Sequence, residues 1–220
     1  MNIKQKETKT AALILNGPIT GGDKGLSVIL KNHMPAPSDY ILCADGGYNL
    51  ANKAGIRCDA VIGDMDSASG ISPDIKQILF DRDKDKTDGQ LAAEHLLNAG
   101  YKRINIYGAL GGRPDHVAAN INLLALIHER GGEPVIYDKD IEIYFVSDYL
   151  EFECMKDDII SVLPYTDKIT FKESEGLLYP LKDLTIERFS SRGISNKAAG
   201  DKVSIVVKEG KAFVYRIQVL

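Results

Sequence analysis

Tryptophan is absent from the 220 residues, so an aromatic wall for a ring-bearing ligand must come from tyrosine or phenylalanine. Cysteine is scarce. Cys43, Cys58 and Cys154 are odd in number, far apart and in no CxxC spacing, which argues against a disulfide framework or a structural zinc site and fits a reducing cytoplasm. Long apolar runs are missing too. The polar stretch Met1–Thr10 is followed by only five apolar residues, Ala11–Leu15, too few for a signal-peptide core or a membrane span. A soluble, unprocessed chain is expected. The net charge of -4 gives no global field to draw in nucleic acid or an anionic membrane. An anionic substrate would need a local attractor.

Hydrophobic residues make up 44% of the chain, enough for a sizeable core in one large domain or two small ones. From residue 11 to about 137, short apolar runs alternate with amphipathic stretches, the pattern of strand and helix in turn. Strands are expected at Ala11–Leu15, Tyr40–Ala44, Ala60–Ile62, Ile78–Phe80 and Ile104–Tyr107, giving four or five parallel strands. Thr87–Asn98 opens with a capping box, Thr87 capping and Gln90 reaching back, and closes at Gly100. Pro114 suits a first helical turn. Val117, Ile121, Leu124 and His128 follow at helical spacing until Gly131-Gly132. After about residue 138 the pattern becomes period-two, as in Ile141, Ile143 and Phe145 or Val203, Ile205 and Val207, with a turn at Lys208–Lys211. The expected organisation is an α/β domain over 1–138 and an all-β domain over 139–220.

Aspartates stand at the ends of expected strands: Asp45 in ADGG, Asp64 and Asp66 in GDMDS, Asp85 and Asp88 in DKDKTD. Open α/β sheets place ligands there. In extended chain Asp64 and Asp66 point to one side, and Asp88 falls in the first turn of the Thr87-capped helix. Two such charges about 5 Å apart repel by roughly 3 kcal/mol at an effective dielectric near 20. A divalent cation removes that cost, and an all-oxygen donor set favours Mg²⁺ with a nucleotide polyphosphate. Any single one of these residues could be only a cap or an Asx turn. Asp81 and Asp83 alternate with Arg82, Lys84 and Lys86, which also suits a solvated, self-paired loop.

The segment Gly108-Ala-Leu-Gly-Gly-Arg-Pro-Asp-His116 brings glycine to a strand-to-helix turn. There backbone N–H groups of Gly111 and Gly112 can approach phosphate, and Arg113 adds attraction. It is neither a Walker loop nor GxGxxG. His116 suits a base or a phosphate donor as well as a solvated position. His95 and His128 read as packing or surface residues.

In order, CADGGYNLA, IGDMDS, DKDKTD, GALGGRPDHVAANI and GISN resemble the thiamine pyrophosphokinase family across most of the chain. The resemblance implies a Rossmann-like, mostly parallel N-terminal domain for ATP and metal, a C-terminal β-sandwich for thiamine, and a homodimer with active sites where subunits meet. It makes Asp64, Asp66 and Asp88 magnesium ligands and Asp45 and Asp85 supporting acids. It also places Arg113 and Asp115 at the nucleotide and Ser195 and Asn196 at thiamine, while Thr87 and His116 are nucleotide candidates from their own positions at helix starts. The chain departs from the family at Met65, where Phe is common, and at Lys84, where an uncharged residue such as Gln is common, so Lys84 bears on the substrate site. Tyr179, Phe189, Phe213 and Tyr215 are candidates for the aromatic wall. The implied reaction moves the diphosphate of ATP to the hydroxyethyl group of thiamine. A metal-dependent phosphohydrolase and a non-catalytic sensor of thiamine or nucleotide are the rival readings.

Overall fold

The computed structural model describes residues 8–33 and 40–219, so most of the polar N-terminal stretch lies outside the described residues. The chain divides into two compact units, Met1–Lys139 and Asp140–Leu220.

In chain order the first unit contains β1 (Thr10–Ile14), α1 (Gly22–His33), β2 (Tyr40–Ala44), α2 (Gly47–Lys53), β3 (Ala60–Gly63) and β4 (Lys76–Leu79). It continues with α3 (Asp88–Asn98), β5 (Arg103–Tyr107), α4 (Pro114–Glu129) and β6 (Glu133–Asp138). Its strands run parallel in the order β6-β5-β1-β2-β3-β4. The sheet therefore has one more strand than expected, β6, and its order reverses between β1 and β5, the switch point at which such sheets open a crevice.

Burial on both faces explains the apolar runs. Ala12, Ile14, Cys43, Val61 and Tyr107 join one core cluster with Leu26, Ile29 and Leu30 of α1 and Tyr48 and Ala51 of α2. The alternate residues Leu13, Leu42, Ile62, Ile104 and Ile106 are fully buried as well. Fully burying one such side chain contributes about 1.5–3 kcal/mol. In α4 the buried residues are Leu123, Leu124, Ala125 and Ile127, while Val117 and Ile121 are only half-buried. The helix ends as Gly131 (φ 76°) and Gly132 return their N–H groups to the carbonyls of His128 and Ile127.

The second unit contains β7 (Ile141–Val146), β8 (Tyr149–Glu153), β9 (Ile159–Pro164), β10 (Lys168–Glu175), β11 (Thr185–Glu187), β12 (Asn196–Lys197), β13 (Lys202–Glu209) and β14 (Ala212–Ile217). They form two antiparallel sets, β12-β9-β14-β7 and β11-β10-β13-β8. Inward residues of both, among them Val146, Phe152, Ile160, Val162, Phe171, Val203, Ile205 and Val214, share one core. The turn at Lys208–Lys211 does not close a hairpin within one sheet. It carries the chain from β13 in one set to β14 in the other. Among the described residues no helix is long and apolar enough to cross a membrane.

Candidate active site

Because β2 and β3 are neighbours, the turns that leave them lie side by side. Asp45 follows β2 in left-handed conformation (φ 41°), which a short acidic side chain tolerates. Its N–H bonds the carbonyl of Ile62 at 2.8 Å. Its buried carboxylate accepts the N–H groups of Ser67 (3.3 Å) and Ala68 (3.1 Å). Asp64 and Asp66 meet by a turn and not by strand alternation as expected: Met65 has φ 60°, and the N–H of Asp66 donates to Asp64 Oδ1 at 3.1 Å. Helix α2 steadies this loop. Asn49 Nδ2 donates to the carbonyl of Ser67 (2.7 Å), and Tyr48 Oη donates to that of Gly70 (3.1 Å).

One carboxylate oxygen from each of Asp45, Asp64 and Asp66 lies within 4.8 Å of the other two. The trio differs from the expected grouping of Asp64, Asp66 and Asp88. Asp88, in the first turn of α3, reaches the cluster through Lys84, whose Nζ stands 2.7 Å from Asp88 Oδ1 and 3.5 Å from Asp64 Oδ2. Arg82 pairs with Asp66 at 2.8 Å, and Lys86 with Glu94 of α3 at 2.7 Å. Within the 81–88 run Lys84 pairs with Asp88, but it also reaches Asp64, and Arg82 and Lys86 pair beyond the run with Asp66 and Glu94, so the run is self-paired only in part. Asp85 is exposed on this run.

The hydrogen bond from Ser67, then that from Arg82, holds Asp66 below its ordinary carboxylate value. Burial raises the Asp88 carboxyl, and Lys84 offsets only part of that rise. Burial works against the Lys84 ammonium too, but the carboxylates of Asp88 and Asp64 outweigh it. The ammonium is the better stabilised member of the pair.

Thr87 caps α3 by accepting the N–H of Gln90 at 3.2 Å. Gln90 Nε2 donates to Glu94, which ties its side chain along the helix. Beside the switch point, Gly17 after β1 donates its N–H to the carbonyl of Gly108 after β5 (2.8 Å), and a Cβ on Gly108 (φ 65°) would lie 2.4 Å from the carbonyl oxygen of Leu15. Gly111 and Gly112 follow, exposed and with positive φ, and lead into α4. Arg113 forms a fork to Asp115 (3.1 and 2.6 Å), which holds the Asp115 carboxyl at about 2. His116 is exposed in the same turn, its backbone N–H on Asp115. Asn16 escaped the sequence reading. Its side chain occupies the space beside Gly46, where a Cβ would come within 2.3 Å of it. The Asn-Gly-Pro turn directly after the first strand was the available signal.

In the second unit a cavity of ≈ 320 Å³ is lined by Ile160, Val162, Leu181, Tyr179, Ser195 and Asn196 among others. Ser195 is left-handed (φ 62°) and donates its N–H to Ser161 Oγ. Asn196 is buried, and its amide bonds both the N–H (3.0 Å) and the carbonyl (2.7 Å) of Tyr179. It therefore fixes the wall. Of the four aromatic candidates Tyr179 lines this cavity, whereas Phe213 packs edge-on against Phe145 and Tyr165, Tyr215 is half-buried in β14 and Phe189 is 98% exposed.

A parallel sheet with clustered acids and a glycine turn at its strand ends, followed by an antiparallel β unit with a cavity, makes a two-domain protein whose first unit suits a metal-bound polyphosphate. Sequence comparison is specific. The family model "Thiamin pyrophosphokinase, catalytic domain" matches residues 32–135, and "Thiamin pyrophosphokinase, vitamin B1 binding domain" matches 148–212. The thiamine pyrophosphokinase of Bacillus subtilis is 28% identical over 190 residues, covering 81% of this chain and 87% of the relative. The chain belongs to the thiamin pyrophosphokinase family. The fold agrees: the B. subtilis crystal structure superposes with a TM-score of 0.82 at 24% identity over 96% of this chain and 100% of that one. For the yeast enzyme the values are 0.75 and 17%, over 98% and 88%.

Proposed function

We propose that the chain transfers the terminal diphosphate of ATP to the hydroxyethyl oxygen of thiamine, releasing thiamine diphosphate and AMP. The convergence of Asp45, Asp64 and Asp66 within 4.8 Å, in the unit matched by the catalytic-domain model, carries this reading. A phosphohydrolase would need no vitamin-binding domain, and a sensor would gain little from costly acids.

The donor set fits Mg²⁺: three hard carboxylate oxygens close enough to share one ion, with no thiolate or imidazole among them. Asp45, Asp64 and Asp66 would hold it, with Asp88 and Asp85 as flanking acids. Bound there, it would offset charge on the polyphosphate. The chain's own part is positioning. The N–H groups of Gly111 and Gly112 and the first turn of α4 suit phosphate oxygens, and Arg113 joins them when it exchanges Asp115 for phosphate. Thr87 holds the end of α3 that presents Asp88. His116, in the same first turn of α4, lies close enough in sequence to assist at the nucleotide.

Thiamine is assigned to the cavity beside Ser195, with Tyr179 as its aromatic wall and Asn196 fixing that wall. The attacking alcohol needs no strong base, since in a loose transition state its proton leaves late. Asp45, Asp85 and Asp115 remain acceptors of that proton. The homodimer and the cytoplasmic setting are part of the same reading. The three free, buried cysteines support a reducing compartment. The test is an incubation with ATP, Mg²⁺ and thiamine. Equal amounts of AMP and thiamine diphosphate, both lost without metal or thiamine, are expected. ADP and phosphate formed without thiamine would overturn the assignment.

A further inference from the structure

Among the cations near the acids Lys84 is set apart by burial. Its side chain is 15% exposed, against 78% for Arg82, so solvent and salt screen Arg82 and leave Lys84 as the effective counter-charge. Its Nζ is closed off from water and pairs with Asp88 Oδ1 at 2.7 Å. The place is prepared by Gly63: a Cβ on it would lie 2.9 Å from Asp88 Oδ1 and 3.0 Å from Asp45 Cβ. Only a residue without a side chain lets Asp88 come this close to the Asp45 turn while it pairs with the ammonium.

The two oxygens of Asp64 serve different ends. Oδ1 accepts the N–H of Asp66, while Oδ2 faces Lys84. A divalent ion shared by Asp45, Asp64 and Asp66 would draw on the same carboxylate and repel the ammonium beside it. Resting on the magnesium reading above, we propose that Lys84 is a tethered counter-cation that holds the acidic site together without metal. A divalent ion must displace it from Asp64, and the freed ammonium then pairs with the polyphosphate that arrives with the metal. Metal alone binds weakly. Metal and polyphosphate bind cooperatively because each relieves the cost of the other.

The experiment is calorimetric titration of the full chain with Mg²⁺, alone and in the presence of tripolyphosphate, for the wild type, Lys84→Gln, Lys84→Arg and Asp64→Asn. Lys84→Gln should bind Mg²⁺ alone about tenfold more tightly and lose most of the cooperativity with tripolyphosphate, while Lys84→Arg stays near wild type. The Mg²⁺-dependent rise in Tm reads the same affinity and serves if Lys84→Gln is unstable without metal. Should Lys84→Gln not fold at all, Lys84→Met takes its place in both measurements. Unchanged or weaker Mg²⁺ binding in the neutral variant overturns the role of Lys84. If Asp64→Asn binds Mg²⁺ as well as wild type, the magnesium reading itself fails. If Asp64→Asn loses the ion while Lys84→Gln behaves as wild type, the fault lies with the Lys84 proposal alone.

Discussion

Gly63 and Asp88 approach so closely that a Cβ on Gly63 would lie 2.9 Å from Asp88 Oδ1. The same Cβ would meet Asp45, and the glycine has φ 148°, so relief through the backbone is denied as well. Gly63→Ala should cost about 1–3 kcal/mol of stability. It should also lower diphosphate transfer by at least about tenfold, since small displacements of positioning groups are expensive. Urea unfolding and a steady-state assay check the two parts. Wild-type activity in Gly63→Ala would show that this approach is incidental.

Asp45 has two separable duties, because its carboxylate accepts N–H groups from Ser67 and Ala68 while also facing Asp64 and Asp66. Asp45→Asn keeps an acceptor and should lose well under about 1 kcal/mol of stability, while Asp45→Ala leaves the part-buried N–H groups of Ser67 and Ala68 without it and should lose about 1 kcal/mol or more. Both should lose Mg²⁺ affinity. Thermal melting with and without Mg²⁺ separates the two effects.

In the second unit, Arg216 bridges Glu142 (2.9 Å) and Asp158 (2.8 Å), and Asp158 is 1% exposed. Burial opposes the guanidinium, but these two acids raise its pKa further above the ordinary arginine value. Arg216→Met strands two acids and should cost about 3–5 kcal/mol. The triple change Arg216→Met, Glu142→Leu and Asp158→Leu should recover much of that loss. Denaturation midpoints report both.

The α3 carboxylate Glu94 is held below its ordinary value, first by the hydrogen bond from Lys86 and then by Gln90 and the charge of Arg130. A depressed folded pKa contributes stability that is present above the unfolded value and lost as pH falls through the folded one. Glu94→Gln should be less stable than wild type by up to about 1 kcal/mol at neutral pH, because Lys86 is partly exposed. The gap should close as pH falls below about 4. A gap of equal size at low pH would show that charge is not its source.

How far the fold was legible depended on local signals. Helix α3 announced itself through Thr87 and its apolar spacing, and β2 through an unbroken apolar run. Helix α2 did not, being seven residues long and opening on two glycines with no side-chain cap. Strand β6 was overlooked because Glu133-Pro134 begins it and its buried residues alternate with half-buried ones. Acids at strand ends pointed to a site, but which of them meet depends on strand order. Asp45 and Asp64 converge because β2 and β3 are neighbours, a long-range fact that no local pattern encodes. The reach of Lys84 was equally hidden, since its flexible stem gives no sign of which carboxylate it will find. The family resemblance supplied the activity, which residue patterns alone left shared with a hydrolase and a sensor.

Phosphorus NMR of the working enzyme with ATP, Mg²⁺ and thiamine follows the transferred group itself. The triphosphate signals should give way to AMP and to the paired resonances of thiamine diphosphate in equal amount, with no free phosphate. ADP with thiamine monophosphate, or ADP with inorganic phosphate, would contradict transfer of the intact diphosphate.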